Sequence, residues 1–318
     1  MMQPFVLVVG TIFIDCKGFA NQKYHPSARN LGNIQFVHGG VGRNVAENLA
    51  NLGVPVLFAT SVDASPIGKD VANRLRRSKV DISFVVESKK LGMGMWLAIL
   101  DDQGDLAGSI SQMPDLALLQ ELIARKGKEM IRQSTHIALE LDLNLTIAQS
   151  VIKLAEEEKK PVYGIPGNLD VILANRGLLD NLDCFICNNF EADRFLALEF
   201  TQLNIAQKQE ALIQFVNRTG LRSMVVTLGA NGAVYYDSRT KETGHQHVFP
   251  VNVVDSSGAG DAFFSGTVMG LVKGLTLKDA VLCGTKVAGW TIESTDNTNL
   301  ELPAKMGHDP FFKQLKRA

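Results

Sequence analysis

The amino-acid sequence predicts a three-layer α/β/α fold built on a mostly parallel sheet. Short apolar runs rich in β-branched residues alternate with segments of helical periodicity, which is typical of a parallel sheet covered on both faces. We expect strands at residues 5–9, 56–61, 136–141, 161–164, 184–187 and 224–228. We expect helices at residues 41–52, 67–78, 116–132, 144–159, 206–219, 261–273 and 277–293, and a loop at 294–303.

Two segments interrupt this alternation and predict a small β-sheet that stands off the main body. Residues 16–37 have no helical period, and residues 91–112 alternate in hydrophobicity around an acidic turn at 101–105, as a β-hairpin does. Paired with each other, the two segments would form a lid over a ligand site. We therefore expect a single domain over residues 1–318, although the length alone would suggest two domains.

Composition and charge disfavour several classes of function. The 32 Lys and Arg against 33 Asp and Glu leave a net charge of −1, which argues against nucleic acid or an anionic membrane as the main partner. The apolar start at 5–14 is too short for a membrane span and has no basic residues before it, so we expect a buried strand there. Four scattered cysteines indicate neither a disulfide framework nor a zinc site, and a cytoplasmic location fits best.

The most informative segment is residues 255–266, Asp-Ser-Ser-Gly-Ala-Gly-Asp-Ala-Phe-Phe-Ser-Gly, which follows a strand-like stretch at 248–254 and opens a helix. Gly258, Ala259 and Gly260 would present bare backbone N–H groups at the positive end of that helix. Side chains this small let a phosphate approach the main chain closely. The segment therefore predicts an anion cradle.

Asp261 follows the cradle directly, in the first turn of the predicted helix. A carboxylate beside a phosphate site can accept the proton of an attacking hydroxyl, which predicts phosphoryl transfer. The alternative is that Asp255 or Ser257 merely caps the helix and Asp261 adds first-turn charge. The segment is neither a Walker A loop nor a dinucleotide-binding fingerprint, because it lacks the Gly-Lys-Ser/Thr ending and the third glycine.

A second glycine-rich block, at residues 39–50, also runs from a strand-like segment into a helix. Gly39 and Gly40 let the backbone approach a ligand, and the amide of Asn44 offers both a donor and an acceptor to a sugar hydroxyl. Asp15 would lie at the carboxyl end of the first strand, where open α/β sheets bind ligands. Separately these residues have ordinary structural explanations, but together they predict a polyol site.

The two blocks resemble the two signatures of the ribokinase-like (PfkB) carbohydrate and nucleoside kinases, and the resemblance covers essentially the whole chain. It implies that Asp261 is the catalytic base that deprotonates an acceptor hydroxymethyl group, next to an anion hole at the cradle. It also implies a small-molecule sugar or nucleoside acceptor, and a homodimer contact through the lid. The residues that would hold the acceptor are Asp15, Gly39, Gly40, Asn44 and either or both of Glu140 and Asp142.

The same resemblance implies ATP and Mg²⁺ as cofactors. Glu191 would act on Mg²⁺ through water, although Asn188 and Glu191 are equally well explained as a helix cap. Asp255 would help to bind a monovalent cation, and K⁺ is implied despite Ser256 and Ser257, since family members usually have Thr at one or both positions. The residues implied at ATP are Asn188, Thr227, Gly229, Gly232 and Ser257.

The amino-acid sequences of the motifs imply, by resemblance, that the acceptor is pseudouridine, phosphorylated at its 5′ hydroxyl. The block at 39–53 and the Thr-Asp-Asn-Thr-Asn at 295–299 resemble pseudouridine kinases most. A ribose kinase or another sugar kinase stays open as an alternative. So does a catalytically silent sensor on the same scaffold, although Asp261 and the cradle are both present. A redox protein with a similar fold is disfavoured, because no glycine-rich turn follows the first strand.

Overall fold

Strands and helices alternate along the chain in the computed structural model, which describes residues 5–89, 92–141, 143–167 and 169–315. The strands are β1 (Val6–Val9), β2 (Phe13–Ala20), β3 (Gly32–Gly39), β4 (Val56–Asp63), β5 (Val85–Ser88), β6 (Gly94–Leu100), β7 (Leu106–Gln112), β8 (His136–Glu140), β9 (Val162–Ile165), β10 (Cys184–Asn188), β11 (Ser223–Thr227), β12 (Ala233–Asp237) and β13 (Glu242–Gln246). The helices are α1 (Val41–Asn51), α2 (Pro66–Arg77), α3 (Ala117–Gln133), α4 (Leu145–Glu157), α5 (Asp170–Ala174), α6 (Asn189–Leu196), α7 (Ile205–Arg218), α8 (Ala259–Val272), α9 (Leu277–Thr291), α10 (Leu302–His308) and α11 (Pro310–Leu315).

The main sheet has nine strands within the described residues, in the order β13-β12-β11-β10-β9-β8-β1-β4-β5. Neighbours from β11 to β5 run parallel, and β12 and β13 extend one edge antiparallel. Along β1, Val6 and Val8 face one apolar cluster with α1, α8 and α9, whereas Leu7 and Val9 face another with α3, α4 and α7. Both faces of the sheet are therefore covered, and the predicted three-layer architecture is confirmed.

The six predicted strands correspond to β1, β4, β8, β9, β10 and β11, and the seven predicted helices to α1 to α4 and α7 to α9. Their ends differ from the predicted bounds by at most two residues. The predicted loop at 294–303 is shorter, because α10 begins at Leu302 with Pro303 in its first turn. Proline is tolerated there, since the first N–H groups of a helix have no intrahelical partner.

The strand predicted at 248–254 is wrong. This segment has no regular secondary structure, and Val253 and Val254 are 64% and 58% exposed. Pro250 lacks the N–H that a ladder requires, and Val248, Val251 and Val253 line a cavity instead of pairing. The strands at this edge of the main sheet are β12 and β13, which form an antiparallel hairpin just before it.

A second, small sheet contains four strands of the described residues, in the order β3-β2-β6-β7. It joins the two segments predicted to pair, and β6 and β7 turn at 101–105 as expected, with Leu91 outside the described residues. The pairing of β2 with β3 begins at Phe13, three residues before the predicted start of this segment at residue 16. Asp15 consequently lies within β2 of this small sheet, and not at the carboxyl end of β1, because the chain leaves the main sheet at residues 10–12.

No helix within the described residues combines the length and the apolar character that crossing a lipid bilayer requires. Cys184 and Cys187 are free and buried in β10, and burial raises the pKa of Cys184 to about 12. They pack as small hydrophobic residues, as free buried cysteines usually do.

Candidate active site

The glycine cradle forms the start of α8. Gly258 is the N-cap of this helix and has a φ of 76°, in the left-handed region that favours glycine. A Cβ at this position would overlap the main-chain oxygen of Asn297. Within the described residues no side chain caps α8, and the first-turn N–H of Gly260 lies at an open, positive helix end, whereas the N–H of Ala259 donates to the carbonyl of Ser256 at 3.2 Å. This geometry can bind an anion.

Asp261 lies in the first turn of α8 and is partly buried. Its Oδ2 accepts a hydrogen bond of 2.7 Å from Nδ2 of Asn44, on α1. Burial raises the pKa of Asp261 to about 7. The hydrogen bond from Asn44 and the charge of Arg43 oppose this rise in pKa, whereas the carboxylates of Glu140 and Glu191 add to it. A carboxylate with a pKa near neutrality is suited to accept a proton from a hydroxyl.

A tight turn between β3 and α1 brings Asn44 to Asp261. Gly40 is the N-cap of α1 with a φ of 93°, and a Cβ there would lie 2.6 Å from the backbone nitrogen of Phe13. The side chain of Asn44 is buried, and its Oδ1 accepts a hydrogen bond of 2.5 Å from Nη1 of Arg43. Both ends of the Asn44 amide are therefore engaged within the protein, and an acceptor hydroxyl would share them.

Asp15 projects from the small sheet toward the same region. Gly39, which pairs with Phe13 in the β2–β3 ladder, lies diagonally opposite Asp15, and a Cβ there would lie 2.8 Å from Oδ2 of Asp15. Nδ2 of Asn297 lies 3.5 Å from the same oxygen and donates a hydrogen bond of 3.2 Å to the carbonyl of His38. Burial raises the pKa of Asp15, although the charge of Lys17 and the contact with Asn297 act against the increase.

Glu140 lies at the end of β8 and is buried. Its Oε2 accepts hydrogen bonds from the backbone of Thr11 at 2.7 Å and of Gly42 at 3.2 Å, and the Thr11 hydroxyl donates to Oε1 at 2.9 Å. The carboxylate thus joins the end of β1 to the first turn of α1, and burial raises its pKa. These contacts favour a supporting role for Glu140 over the direct substrate contact predicted. Asp142 lies outside the described residues.

A cavity of about 510 Å³ opens beside the cradle. Its volume is in the range of small-molecule sites, and mostly small or apolar side chains line it. Three of the residues predicted at ATP, Thr227, Gly229 and Gly232, line it where β11 ends. Ala259 and Gly260 form its other end. The cavity therefore reaches from the turn after β11 to the residues adjacent to Asp261.

Two further predicted nucleotide residues lie apart from this lining. Asn188 caps α6, and its Oδ1 accepts a hydrogen bond of 2.8 Å from the backbone of Glu191. Glu191 returns a contact through Oε2, which accepts from the Asn188 backbone at 2.7 Å, so the capping box is complete. Burial raises the pKa of Glu191. Ser257 donates its backbone N–H to Asp255, and its neighbour Ser256 is the serine that lines the cavity.

Asp255 connects the small sheet to the loop before α8. Its Oδ1 accepts a hydrogen bond of 2.8 Å from the Ser257 backbone, and its Oδ2 lies 3.8 Å from Nζ of Lys17 on β2. Burial favours a higher pKa for Asp255, but the hydrogen bonds from Ser257 and the charge of Lys17 together hold it below the ordinary value. The Asp255 carboxylate is therefore ionised, and one of its oxygens already accepts a hydrogen bond in the turn that leads into α8.

Sequence reasoning missed a buried ionic network beside the base. Arg43 and Glu47 are fully buried in α1, where their Nη2 and Oε2 atoms lie 3.0 Å apart, and Arg74 of α2 also pairs with Glu47. The i,i+4 spacing of an arginine and a glutamate is visible in the sequence, but that pattern is usual for an exposed helix face. The signal that sets them apart is their position inside the glycine-rich block.

Comparisons with known proteins agree with this geometry. Residues 3–305 match the pfkB family carbohydrate kinase domain. The chain is 38% identical over 294 residues to guanosine-inosine kinase of Exiguobacterium acetylicum, covering 92% of this chain and 95% of that one. It is 25% identical over 303 residues to pseudouridine kinase of Escherichia coli (strain K12), covering 94% and 95%.

The fold has close counterparts among solved structures. Ribokinase of Arabidopsis thaliana, whose structure was determined with ribose and ATP, superimposes with a TM-score of 0.82 at 20% identity, covering 98% of this chain and 99% of that one. With the main and small sheets, the cradle and the family match over nearly the whole length, the chain belongs to the pfkB family of carbohydrate kinases, phosphotransferases that use an alcohol group as acceptor.

Proposed function

We propose that this kinase transfers the γ-phosphoryl group of ATP to the 5′ hydroxyl of a purine ribonucleoside. The observation that carries the proposal is the position of Asp261. It directly follows Gly260, which lines the cavity, and its carboxylate accepts a hydrogen bond from Asn44 on α1. A nucleotide in the cavity and a sugar at the polar cluster would present phosphate and hydroxyl to the same carboxylate.

The chemistry follows from that arrangement. Asp261 accepts the proton of the 5′ hydroxyl as the hydroxyl oxygen forms a bond to the γ-phosphorus. The bond between this phosphorus and the oxygen that bridges to the β-phosphate breaks, and ADP leaves with the electron pair. The N–H groups at the start of α8 stabilise the negative charge on the equatorial oxygens during transfer.

Cations fit this site through oxygen ligands. Glu191 uses Oε2 in its capping box, and a carboxylate has lone pairs left to hold a water of Mg²⁺. When bound, Mg²⁺ neutralises charge on the transferring phosphates. Asp255, held ionised by Ser257 and Lys17, is the proposed ligand side chain for a monovalent cation such as K⁺. We place the protein in the cytoplasm, where free cysteines are stable.

Two observations support a nucleoside acceptor over a free sugar. The guanosine-inosine kinase shares 38% identity with this chain over nearly its whole length. Trp96 on β6 is the direct cross-strand neighbour of Asp15, so the two side chains lie on the same face of the small sheet. An indole beside the sugar site can stack on a nucleobase. Pseudouridine, the acceptor expected from motif wording, is the second candidate, supported by the 25% identical relative.

An acceptor panel tests this proposal. Guanosine, inosine, adenosine, pseudouridine, uridine and ribose are each incubated with enzyme, ATP and Mg²⁺, with and without K⁺, and ADP formation is followed by a coupled assay. We expect the highest kcat/KM with guanosine or inosine, and at least about tenfold less with ribose, because ribose lacks the stacking base. A clear preference for pseudouridine would select the second candidate, and a preference for ribose would refute a nucleoside acceptor.

We also propose that the small sheet acts as a lid and as the contact of a homodimer. The face opposite Asp15 carries a row of side chains that includes Phe36, Cys16, Leu97 and Ile110, which are direct neighbours across all four strands. Phe36 and Ile110 are 60% and 69% exposed. Exposed apolar patches of this kind mark interaction surfaces, and two copies of one sheet face are self-complementary.

The dimer contact is tested by light scattering after size exclusion. We expect wild-type protein to elute with the mass of a dimer and the Phe36→Lys, Ile110→Lys double variant with the mass of a monomer, because each dimer would bury charges at its centre. Leu300→Lys, a matched change at an apolar residue that is 60% exposed outside the small sheet, should remain dimeric. A double variant with unchanged mass would contradict the proposed contact.

A further inference from the structure

The ionic network inside α1 has no part in the chemistry described above, yet it touches the base through one intermediate. Arg43 and Glu47 are both fully buried. Burial of charge is costly unless each group is paired and hydrogen-bonded. The contacts of the network indicate why two charged side chains are buried next to the active site.

The contacts of Arg43 fix the orientation of the Asn44 amide. Arginine can only donate hydrogen bonds, so the atom of Asn44 that receives Nη1 of Arg43 at 2.5 Å has to be Oδ1. The amide nitrogen then faces the opposite way, and it donates to Oδ2 of Asp261 at 2.7 Å. An ionised carboxylate can only accept, so the three groups satisfy one another in a single arrangement.

Arg43 is in turn held by Glu47, which itself is held by α2 and its C-terminal end and by the 294–299 loop. Its Nη2 lies 3.0 Å from Oε2 of Glu47. Glu47 accepts further hydrogen bonds from Nε of Arg74 at 2.9 Å, from the Ser78 hydroxyl at 2.8 Å and from the Thr298 hydroxyl at 3.0 Å. Glu47 therefore keeps other hydrogen-bond partners when Arg43 is replaced.

The network ends in the loop at 294–299, which also touches the cradle. Nη2 of Arg74 donates to Oδ2 of Asp296 at 2.8 Å and to the Thr298 hydroxyl at 2.9 Å. Asn297, between these two residues, packs its carbonyl against Gly258 and its amide toward Asp15. Polar contacts and the packing of Asn297 against Gly258 therefore connect the base, the cradle and the acceptor side of the site.

We propose that Arg43 is a positioning residue for phosphoryl transfer: it orients the Asn44 amide, which holds the Asp261 carboxylate toward the cradle, and Glu47 and Arg74 hold Arg43 in register with the 294–299 loop. The inference rests on the proposed role of Asp261 as the base. Arg43 is a positioning and not a catalytic residue, since its side chain is fully buried and acts on Asp261 through Asn44.

The charged groups around Asp261 predict that loss of Arg43 changes the pH dependence of activity and not only the stability of the protein. Arg43 from α1 faces it with positive charge, whereas Glu140 from β8 and Glu191 from α6 face it with negative charge. Without Arg43, the opposing carboxylates and burial act on Asp261 with less compensation, and its amide partner is free to rotate. The base should then bind its proton more tightly, and activity should require a higher pH.

The test compares Arg43→Met with wild type. Methionine fills much of the arginine volume without charge, and Glu47 keeps Arg74, Ser78 and Thr298 as partners. We expect kcat to fall about tenfold or more with little change in KM, and the acidic limb of the kcat/KM profile to move up by about one pH unit. Arg43→Lys, which retains the charge, should bring the limb back to the wild-type position. Arg132→Met, at a surface ion pair with Glu158, is the matched control and should leave both unchanged.

A second readout does not depend on turnover. In protein labelled with ¹³C at aspartate carboxyl groups, the signal that Asp261→Asn removes reports the titration of Asp261 directly. We expect its midpoint to rise in Arg43→Met and to stay unchanged in Arg132→Met. An unchanged midpoint with an unchanged kcat would overturn the positioning role. If Arg43→Met does not fold, Arg43→Lys carries the test: a lowered kcat with unshifted titration supports the proposal, and wild-type kcat overturns it. A wild-type enzyme inactive on every acceptor would instead count against the proposed function.

Discussion

Replacing Asp261 with Asn is expected to lower kcat by at least about 10²-fold, the lower end of what general base catalysis contributes. Asparagine has nearly the same volume and can still pair with Asn44, so the fold and nucleotide binding should survive, as circular dichroism and calorimetric titration of ADP would show. In wild type, kcat/KM should rise with pH through about 7, because the base acts only after losing its proton.

A matched control separates this role from a helix-dipole effect. Asp279 occupies the same third position of the neighbouring helix α9, away from the cradle. If Asp261 merely adds first-turn charge, Asp261→Asn and Asp279→Asn should affect the protein alike. We expect wild-type kcat in Asp279→Asn. Near-normal turnover in Asp261→Asn would remove Asp261 from its proposed role as the base.

Replacing Gly258 with Ala is the second change with a large expected effect. The new Cβ would meet the main-chain oxygen of Asn297, and a φ of 76° is strained for any residue with a Cβ. The N–H groups of the cradle would move relative to the phosphate, and loss of one such donor costs about 10²–10³ in kcat. We expect a loss on this scale in steady-state assays.

Gly274 offers a control with the same backbone angle. Its φ is also 76°, but no atom lies within 4 Å of a Cβ built there, and it follows α8 at the end remote from the cradle. Gly274→Ala should lower the free energy of unfolding by about 1–3 kcal/mol through strain alone, which a lower melting temperature would show. It should leave kcat unchanged. Equal kcat losses in the two variants would show that strain, and not the cradle, explains the effect at Gly258.

Much of the fold was predictable because its signals are local. The continuous apolar run of β1, buried at every position, and the apolar stripes of α1 and α3 are patterns in neighbouring residues, and the structure follows them within two residues. The segment at 248–254 shows where local pattern fails. It is rich in valine, as strands are, but among the described residues no strand pairs with it, and the hairpin of β12 and β13 forms the edge of the sheet instead.

The candidate site was predictable in its parts but not in its contacts. Asn44 and Asp261 stand out because each follows a glycine-rich turn, yet their hydrogen bond spans 217 positions, which no periodicity encodes. Arg74 and Thr298 meet at Glu47 for the same reason, through packing of α2 and the 294–299 loop onto α1. Glu140 is a further example: its position at the end of a strand led us to expect substrate contact, but no local pattern encodes the hydrogen bonds that its carboxylate accepts from Thr11 and Gly42.

The central claim is that the Asp261 carboxylate drives phosphoryl transfer from ATP to a nucleoside 5′ hydroxyl. The most direct measurement is ³¹P NMR of a reaction of inosine, ATP and Mg²⁺ with wild-type enzyme. We expect a monoester phosphorus signal coupled to the two 5′ protons of the ribose, growing in step with ADP, and growing at least about 10²-fold more slowly with Asp261→Asn. Formation of only inorganic phosphate, or a phosphoryl group on another ribose hydroxyl, would contradict it.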